Sequence, residues 1–335
     1  MTQANVLAQL GSAGVSTGFK NRIINGAMVI DQRNAGASIS SGYPVDRWSI
    51  GASQSSKFTA QRNAGSVTPP VGFTNYLGMT SSSAYSVTSG DYFFINQLIE
   101  GLNAADLAWG TANAKTVTLS FRVYSSLTGT FGGSIKNGSA NRSYPFSYTI
   151  SSANTWTNIS ITIPGDTSGT WATDNTAWAY VLFCLGSGSN RLGTANTWAG
   201  TNYDAPTGAT SVVGTSGATF YITGVQLEVG TEATDFEYRP YGTELALCER
   251  YFQKLGDFYL SAYNATNEPT GCAITFKTSM RTTPTVAYPG GTANTNAYGL
   301  TIDNITDSSY RAYMLVSSTG RMYFSLTSVT ASAEL

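Results

Sequence analysis

The residues with the strongest claim to chemistry are four carboxylates set close together, Glu228, Glu232, Asp235 and Glu237. Two carboxylates flanking a sugar can hydrolyse a glycosidic bond if they are held about 5–9 Å apart across a groove. In an extended segment Asp235 and Glu237 share a face, with Phe236 and Tyr238 packed behind. Spacing does not fix their separation, and solubilising an edge strand is the commoner use of such charges. The sequence has no histidine in 335 residues. That removes the Ser-His-Asp triad, the Cys-His pair and nearly every zinc constellation. No catalytic residue, metal-ligand set or cofactor is assigned, and the chain reads as non-enzymatic. Gly186-Ser187-Gly188 followed by Gly193 echoes a phosphate loop, but the spacing is wrong and no helix pattern follows.

Recognition of sugars is the chemistry that remains. It needs an aromatic face for the C–H side of the ring and amides or carboxylates for the hydroxyls. The segment 185–217 has little regular pattern and carries Arg191, Trp198, Asn202, Tyr203 and Asp204. Long patternless loops in compact domains are often binding loops, although Trp and Tyr in a loop also serve to pin it down. A second aromatic–acidic stretch holds Asp166, Trp171, Asp174 and Trp178. Near the C-terminus, Tyr288, Asn294, Asn296, Tyr298 and Tyr310 are candidates for contact with a partner surface, with solvated loop tyrosines as the plainer reading.

These groups must be positioned by β-structure. Only 11% of residues are charged, net charge is −1, and there are 20 tyrosines and 6 tryptophans. Polar surface must then come from Ser, Thr, Asn and Gly, a composition suited to short strands and tight turns. Near-neutral charge without a Lys/Arg run argues against nucleic-acid binding, and no stretch approaches a membrane-spanning length. The N-terminus lacks a basic signal region, as expected of a protein released by lysis rather than secretion. The three cysteines, Cys184, Cys248 and Cys272, suggest no disulfide framework.

Period-two alternation is read in residues 45–50, 116–124, 143–150, 156–163, 177–184 and 218–229, and Ile23–Ile30 reads as a short apolar strand. Asp91–Gly110 has Ile95, Leu98, Ile99 and Leu102 at helical spacing. About ten strands without a βαβ rhythm predict a jelly-roll-like sandwich over residues 21–242. Residues 243–256 read as a connecting helix, with Thr243 as N-cap and Leu245, Cys248, Phe252 and Leu255 on one face. Its partner is either its own domain or a threefold seam. Residues 257–335 return to strands and form a smaller C-terminal β-sandwich. Residues 1–20 cannot fold alone and read as an arm that needs a partner surface.

Three stretches together, Asn21–Arg33, Tyr43–Trp48 and Thr219–Tyr251, resemble a family of phage tail-fibre and related virion proteins with carbohydrate-binding-like jelly rolls. The resemblance covers about residues 21–254. It implies a virion location, a homotrimer, attachment to other virion proteins through residues 1–20, and a host glycan or protein receptor. It implies no nucleic acid and no membrane insertion. A capsid decoration protein or head fibre is the alternative of a different class, and a polysaccharide depolymerase is a third.

Overall fold

The computed structural model describes residues 19–289 and 292–335. The larger unit is built from β1 (Ser49–Ala52), β2 (Phe58–Arg62), β3 (Leu77–Ser81), β4 (Tyr92–Glu100), β5 (Val117–Ser125), β6 (Gly129–Asn137), β7 (Ser143–Ile150), β8 (Thr157–Ile163), β9 (Ala177–Ser187), the two-residue strands β10 (Leu192–Gly193) and β11 (Ala205–Pro206), and β12 (Thr219–Val229). Two five-stranded antiparallel sheets, β1-β4-β9-β6-β7 and β2-β3-β12-β5-β8, face each other. The chain crosses between the sheets repeatedly, with β2-β3 and β6-β7 as hairpins within one sheet, and the inner faces of both sheets share one core. Trp48, Phe93, Phe121, Phe146, Phe183 and Phe220 are fully buried there. The fold is mainly β, as the alternation predicts.

Three local expectations are corrected. Ile23–Ile30 is not a strand. Asn25 and Met28 take left-handed backbone, with φ of 58° and 57°. The Asn25 amide donates to the Ile30 and Asp46 carbonyls at 2.8 and 2.9 Å and accepts from Ile30 N at 3.0 Å. One side chain thus replaces a partner strand and folds the apolar segment into the core. The alternation at 45–50 also fails, because Arg47 has φ 72° and Val45, Asp46, Arg47 and Trp48 are all buried. Asp91–Gly110 holds β4 and two 3-10 turns instead of a helix. β4 has a hydrogen-bonded neighbour on each side, and that ladder overrides the weak helical spacing.

The helix α1 spans Tyr241–Glu249, starting earlier and ending sooner than predicted. Pro240 precedes it, and no side chain caps its start; Thr243 N donates to the Pro240 carbonyl at 2.9 Å. Phe252–Leu255 belong to a strand, because Phe252 pairs with Ser332. Cys248, together with Tyr251 just beyond the helix, packs on Ile24 and Ile30, so the helix is held by its own chain.

Beyond it come β13 (Phe252–Asn264), β14 (Pro269–Thr275), β15 (Thr285–Ala287), β16 (Thr292–Thr295), β17 (Ala297–Asp303), β18 (Ser309–Val316) and β19 (Gly320–Ser332). One sheet has β19 paired with β13, β15 and β16, and the other has the order β14-β18-β17. Met314, Val316, Met322, Phe324 and Leu326 fill the core between them. The two units meet through charge. Glu334 takes Arg33 and Arg47, and Glu100 takes Arg250 in a two-point pair at 3.0 and 2.6 Å plus the Tyr251 hydroxyl at 2.6 Å. No helix among the described residues is long and apolar enough to cross a membrane.

Candidate functional site

Two of the four carboxylates at 228–237, Glu228 and Glu237, are committed to architecture. Glu228 is buried and accepts from Thr234 N, Thr234 Oγ1 and Gln226 Nε2 at 2.8, 2.6 and 2.8 Å, closing the turn after β12. Glu237 accepts from the backbone N–H groups of Lys20 and Asn21 at 2.9 and 3.1 Å and from Arg239 at 3.1 Å. Glu232 and Asp235 are exposed. Both Glu228 and Glu237 clamp chain segments rather than protect an edge. The arm predicted at 1–20 lies mostly outside the described residues. Lys20, at its end, is tied to Thr234 Oγ1 and the Asp235 carbonyl at 2.5 and 2.6 Å.

The loop 185–217 lies across the outer face of the first sheet. Leu192, Ala205 and Ala209 cover Leu182, Cys184 and Phe94. Asp204 is fully buried and pairs with Lys136 at 2.6 Å, while Asn202 Oδ1 accepts from the same ammonium at 2.9 Å. Burial pulls the Lys136 pKa below its ordinary value, with Asp204 opposing that pull. Tyr203 packs its ring over Gly193, where any Cβ would stand 2.3 Å from it. Trp198 donates to the Pro164 carbonyl at 2.8 Å and packs on Trp109, Trp171 and Tyr144. Trp171 is buried in the same cluster with Trp178. Asp174 is exposed, but Thr176 N and Oγ1 hold its carboxylate at 2.9 and 2.5 Å and lower its pKa. Trp171 and Asp204 are therefore corrected from surface groups to internal fasteners. The aromatic rings of this region fix the loop.

The C-terminal candidates divide. Tyr310 is buried and stacks on Phe276 at 5.7 Å, and burial pushes its hydroxyl up to about 12; it is corrected to a core residue. Asn296 has φ 54° and spends its amide on the Ser318 and Arg321 carbonyls at 2.8 and 3.1 Å, a turn clamp. Tyr288, Asn294 and Tyr298 are exposed, with Tyr298 bonded to Asn267 at 2.7 Å.

The surface best suited to a sugar was not singled out in the sequence. On β13, Tyr259, Ser261 and Tyr263 point outward while Phe258, Leu260 and Ala262 face the core. Register sets Tyr259 opposite Ser325, Ser261 opposite Tyr323, and Tyr263 opposite Arg321. Thr295 of β16 lies on the far side of Tyr323. Tyr259, Tyr263 and Tyr323 are 60%, 73% and 36% exposed. Tyr259 and Tyr263 stand about 13 Å apart along the strand at the usual rise, with Tyr323 on the neighbouring strand between them. Ser261, Thr295, Arg321 and Tyr323 line a depression of about 450 Å³. Asp257 accepts from the Tyr259 hydroxyl at 3.2 Å and raises its pKa. The Tyr263 and Tyr323 hydroxyls have no hydrogen-bond partner among the described residues. A flat sheet face thus offers three rings, two hydroxyl side chains and a guanidinium. The signal was Tyr-x-Ser-x-Tyr at period two, obscured by reading the preceding residues as helix.

No family model matches the chain, and no curated protein matches it. Among solved structures it is similar to a family 4 carbohydrate-binding module, at 18% identity and TM-score 0.30 over 62% of this chain and 98% of that one. It is also similar to a family 11 module from Clostridium thermocellum in complex with a β-1,3-1,4-mixed-linked tetrasaccharide, at 14% identity and TM-score 0.30 over 60% and 100%. A third is the N-terminal cellulose-binding domain of Cellulomonas fimi β-1,4-glucanase C, at 13% identity and TM-score 0.26 over 60% and 99%. At these scores the likeness carries no functional argument.

Proposed function

We propose that this chain is a non-catalytic glycan-binding protein and, more finely, a phage tail-fibre or receptor-binding protein that grips sugar on the host surface. The observation that carries the glycan reading is the exposed tyrosine face of β13 and β19. Solvent-facing rings on a rigid sheet lose little entropy on binding and offer apolar area to sugar C–H groups, while Ser261, Thr295 and Arg321 supply hydrogen bonds. The phage reading is supported by the resemblance of Asn21–Arg33, Tyr43–Trp48 and Thr219–Tyr251. A homotrimer would multiply weak single-site binding into firm attachment.

The test is binding of the full chain to immobilised host lipopolysaccharide and capsule, with Tyr259→Ala, Tyr263→Ala and Tyr323→Ala. Each substitution is expected to weaken binding by about tenfold, or about 1.4 kcal/mol, with Tm unchanged because the rings are exposed. Binding that survives all three substitutions refutes the face, and release of reducing ends refutes the non-catalytic reading. Immunogold labelling of intact particles separates tail fibre from capsid decoration protein, and light scattering tests the trimer.

A further inference from the structure

We propose that the outer face of the sheet β2-β3-β12-β5-β8 holds a second saccharide site, selective for acidic sugars and centred on Arg122. This rests on the reading of the chain as a glycan binder but uses a different surface. Register places Arg122 of β5 between Asn158 of β8 and Thr223 of β12. Ser120 and Ser160 pair one step further along the same face.

Among the described residues the guanidinium has no carboxylate to neutralise it and no hydrogen-bond partner to hold it. Of the chain's twelve arginines, nine lie within 4.0 Å of a carboxylate. Arg281 instead donates to three backbone carbonyls, and Arg321 to the Ser261 hydroxyl at 3.4 Å. Arg122 makes neither an ion pair nor a side-chain hydrogen bond among the described residues. In a chain with so few charges, an unpaired planar cation on a sheet face is a ready partner for an oxyanion. Its five N–H groups form a fixed fork that matches a carboxylate or phosphate.

Aromatic walls stand on both sides. Tyr124 lies opposite Tyr221 in the register, their rings parallel to within 4° at 5.3 Å. Trp156 packs on Tyr124 at 5.5 Å and is fixed by its indole N–H to the Thr68 carbonyl at 2.9 Å. On the other side the exposed Tyr238 ring lies within electrostatic reach of Arg122 and is anchored through its hydroxyl to the Gly72 carbonyl at 2.7 Å. The exposed Asn158 amide and Ser160 hydroxyl are placed to meet sugar hydroxyls beside the charge. The composite fits a pyranose that carries an acidic group.

The test is calorimetric titration of the full chain with three probes: oligogalacturonate, its methyl ester, and a phosphorylated mannan oligosaccharide. All titrations are repeated in a Tyr259→Ala/Tyr263→Ala background that silences the C-terminal face. Oligogalacturonate is expected to bind in that background, more weakly as salt rises, and at least tenfold more tightly than its ester. Arg122→Met is expected to cost at least tenfold, and Arg122→Lys, which keeps the charge without the fork, an intermediate amount. Preference between the two acidic probes tells carboxylate from phosphate. Equal binding of the ester, full affinity in Arg122→Met, or no binding of either acidic probe to the wild type overturns the site. Loss of acidic binding in the tyrosine background alone also overturns it, while leaving the C-terminal face intact as a glycan binder.

Discussion

Replacing Glu334 by Gln should loosen the joint between the two sandwiches. The Arg47 side chain is 2% exposed and that of Glu334 8%, so the pair is held out of water. Removing one partner of such a pair leaves a buried charge uncompensated, at about 3–5 kcal/mol. Two features place the cost at the lower end. Arg47 keeps its bond to the Leu98 carbonyl at 2.6 Å and its position 3.5 Å over the Tyr251 ring. Arg33, the second partner of Glu334, keeps Asp46 at 2.9 Å. A loss of about 3 kcal/mol corresponds to a fall in Tm of roughly 4 °C for a chain of 335 residues. Scanning calorimetry measures it. An Arg47→Met/Glu334→Leu double variant removes both charges and should recover at least half the loss, because well-packed apolar replacements of buried ion pairs are often neutral. A fall in Tm below about 2 °C for Glu334→Gln, or a double variant no more stable than the single, refutes the claim that this joint is electrostatically locked.

Native alkylation should modify one thiol. Cys272 is exposed, whereas Cys184 and Cys248 are buried and burial pushes the Cys184 thiol up to about 11. Iodoacetamide followed by mass spectrometry should find a single adduct in the folded protein and three after denaturation, and labelling of Cys248 without unfolding contradicts the packing on Ile24 and Ile30. Asp91 gives a pH signature. Its carboxylate accepts from Thr88 N and Oγ1 at 2.8 and 2.7 Å, Ser53 Oγ at 2.8 Å and the Tyr85 hydroxyl at 2.9 Å, which holds its pKa well below the ordinary 3.8. A depressed carboxylate stabilises the fold above its unfolded value and loses that contribution as pH falls toward the folded one. Asp91→Asn should therefore be less stable than wild type at neutral pH, with the gap closing below pH 3.8; urea melts whose gap is constant with pH contradict it.

The sequence by itself determined the class of fold. Alternation in 116–124, 143–150, 156–163, 177–184 and 218–229 became β5, β7, β8, β9 and β12 within a residue or a few, because one face of each had to be buried whatever its partner. The missing histidine and the scarcity of charge likewise narrowed the chemistry without any coordinates. What only the tertiary structure decided was everything fixed by a non-local partner. β6 is absent from the alternating stretches and contains Gly132-Gly133, yet a Cβ at Gly133 would stand 2.0 Å from the Leu182 carbonyl, so glycine is what lets that strand approach. Trp171, Asp204 and Tyr310 had the right chemistry for a ligand but were claimed by the indole cluster, Lys136 and Phe276. The tyrosine face exists only because β13 and β19 pair in one register, which brings Tyr259, Tyr263 and Tyr323 together from positions some sixty residues apart. Burial of a strand face is a local pattern that a sequence carries openly; the pairing that decides which exposed side chains become neighbours is a long-range choice, set by the packing of the whole sandwich.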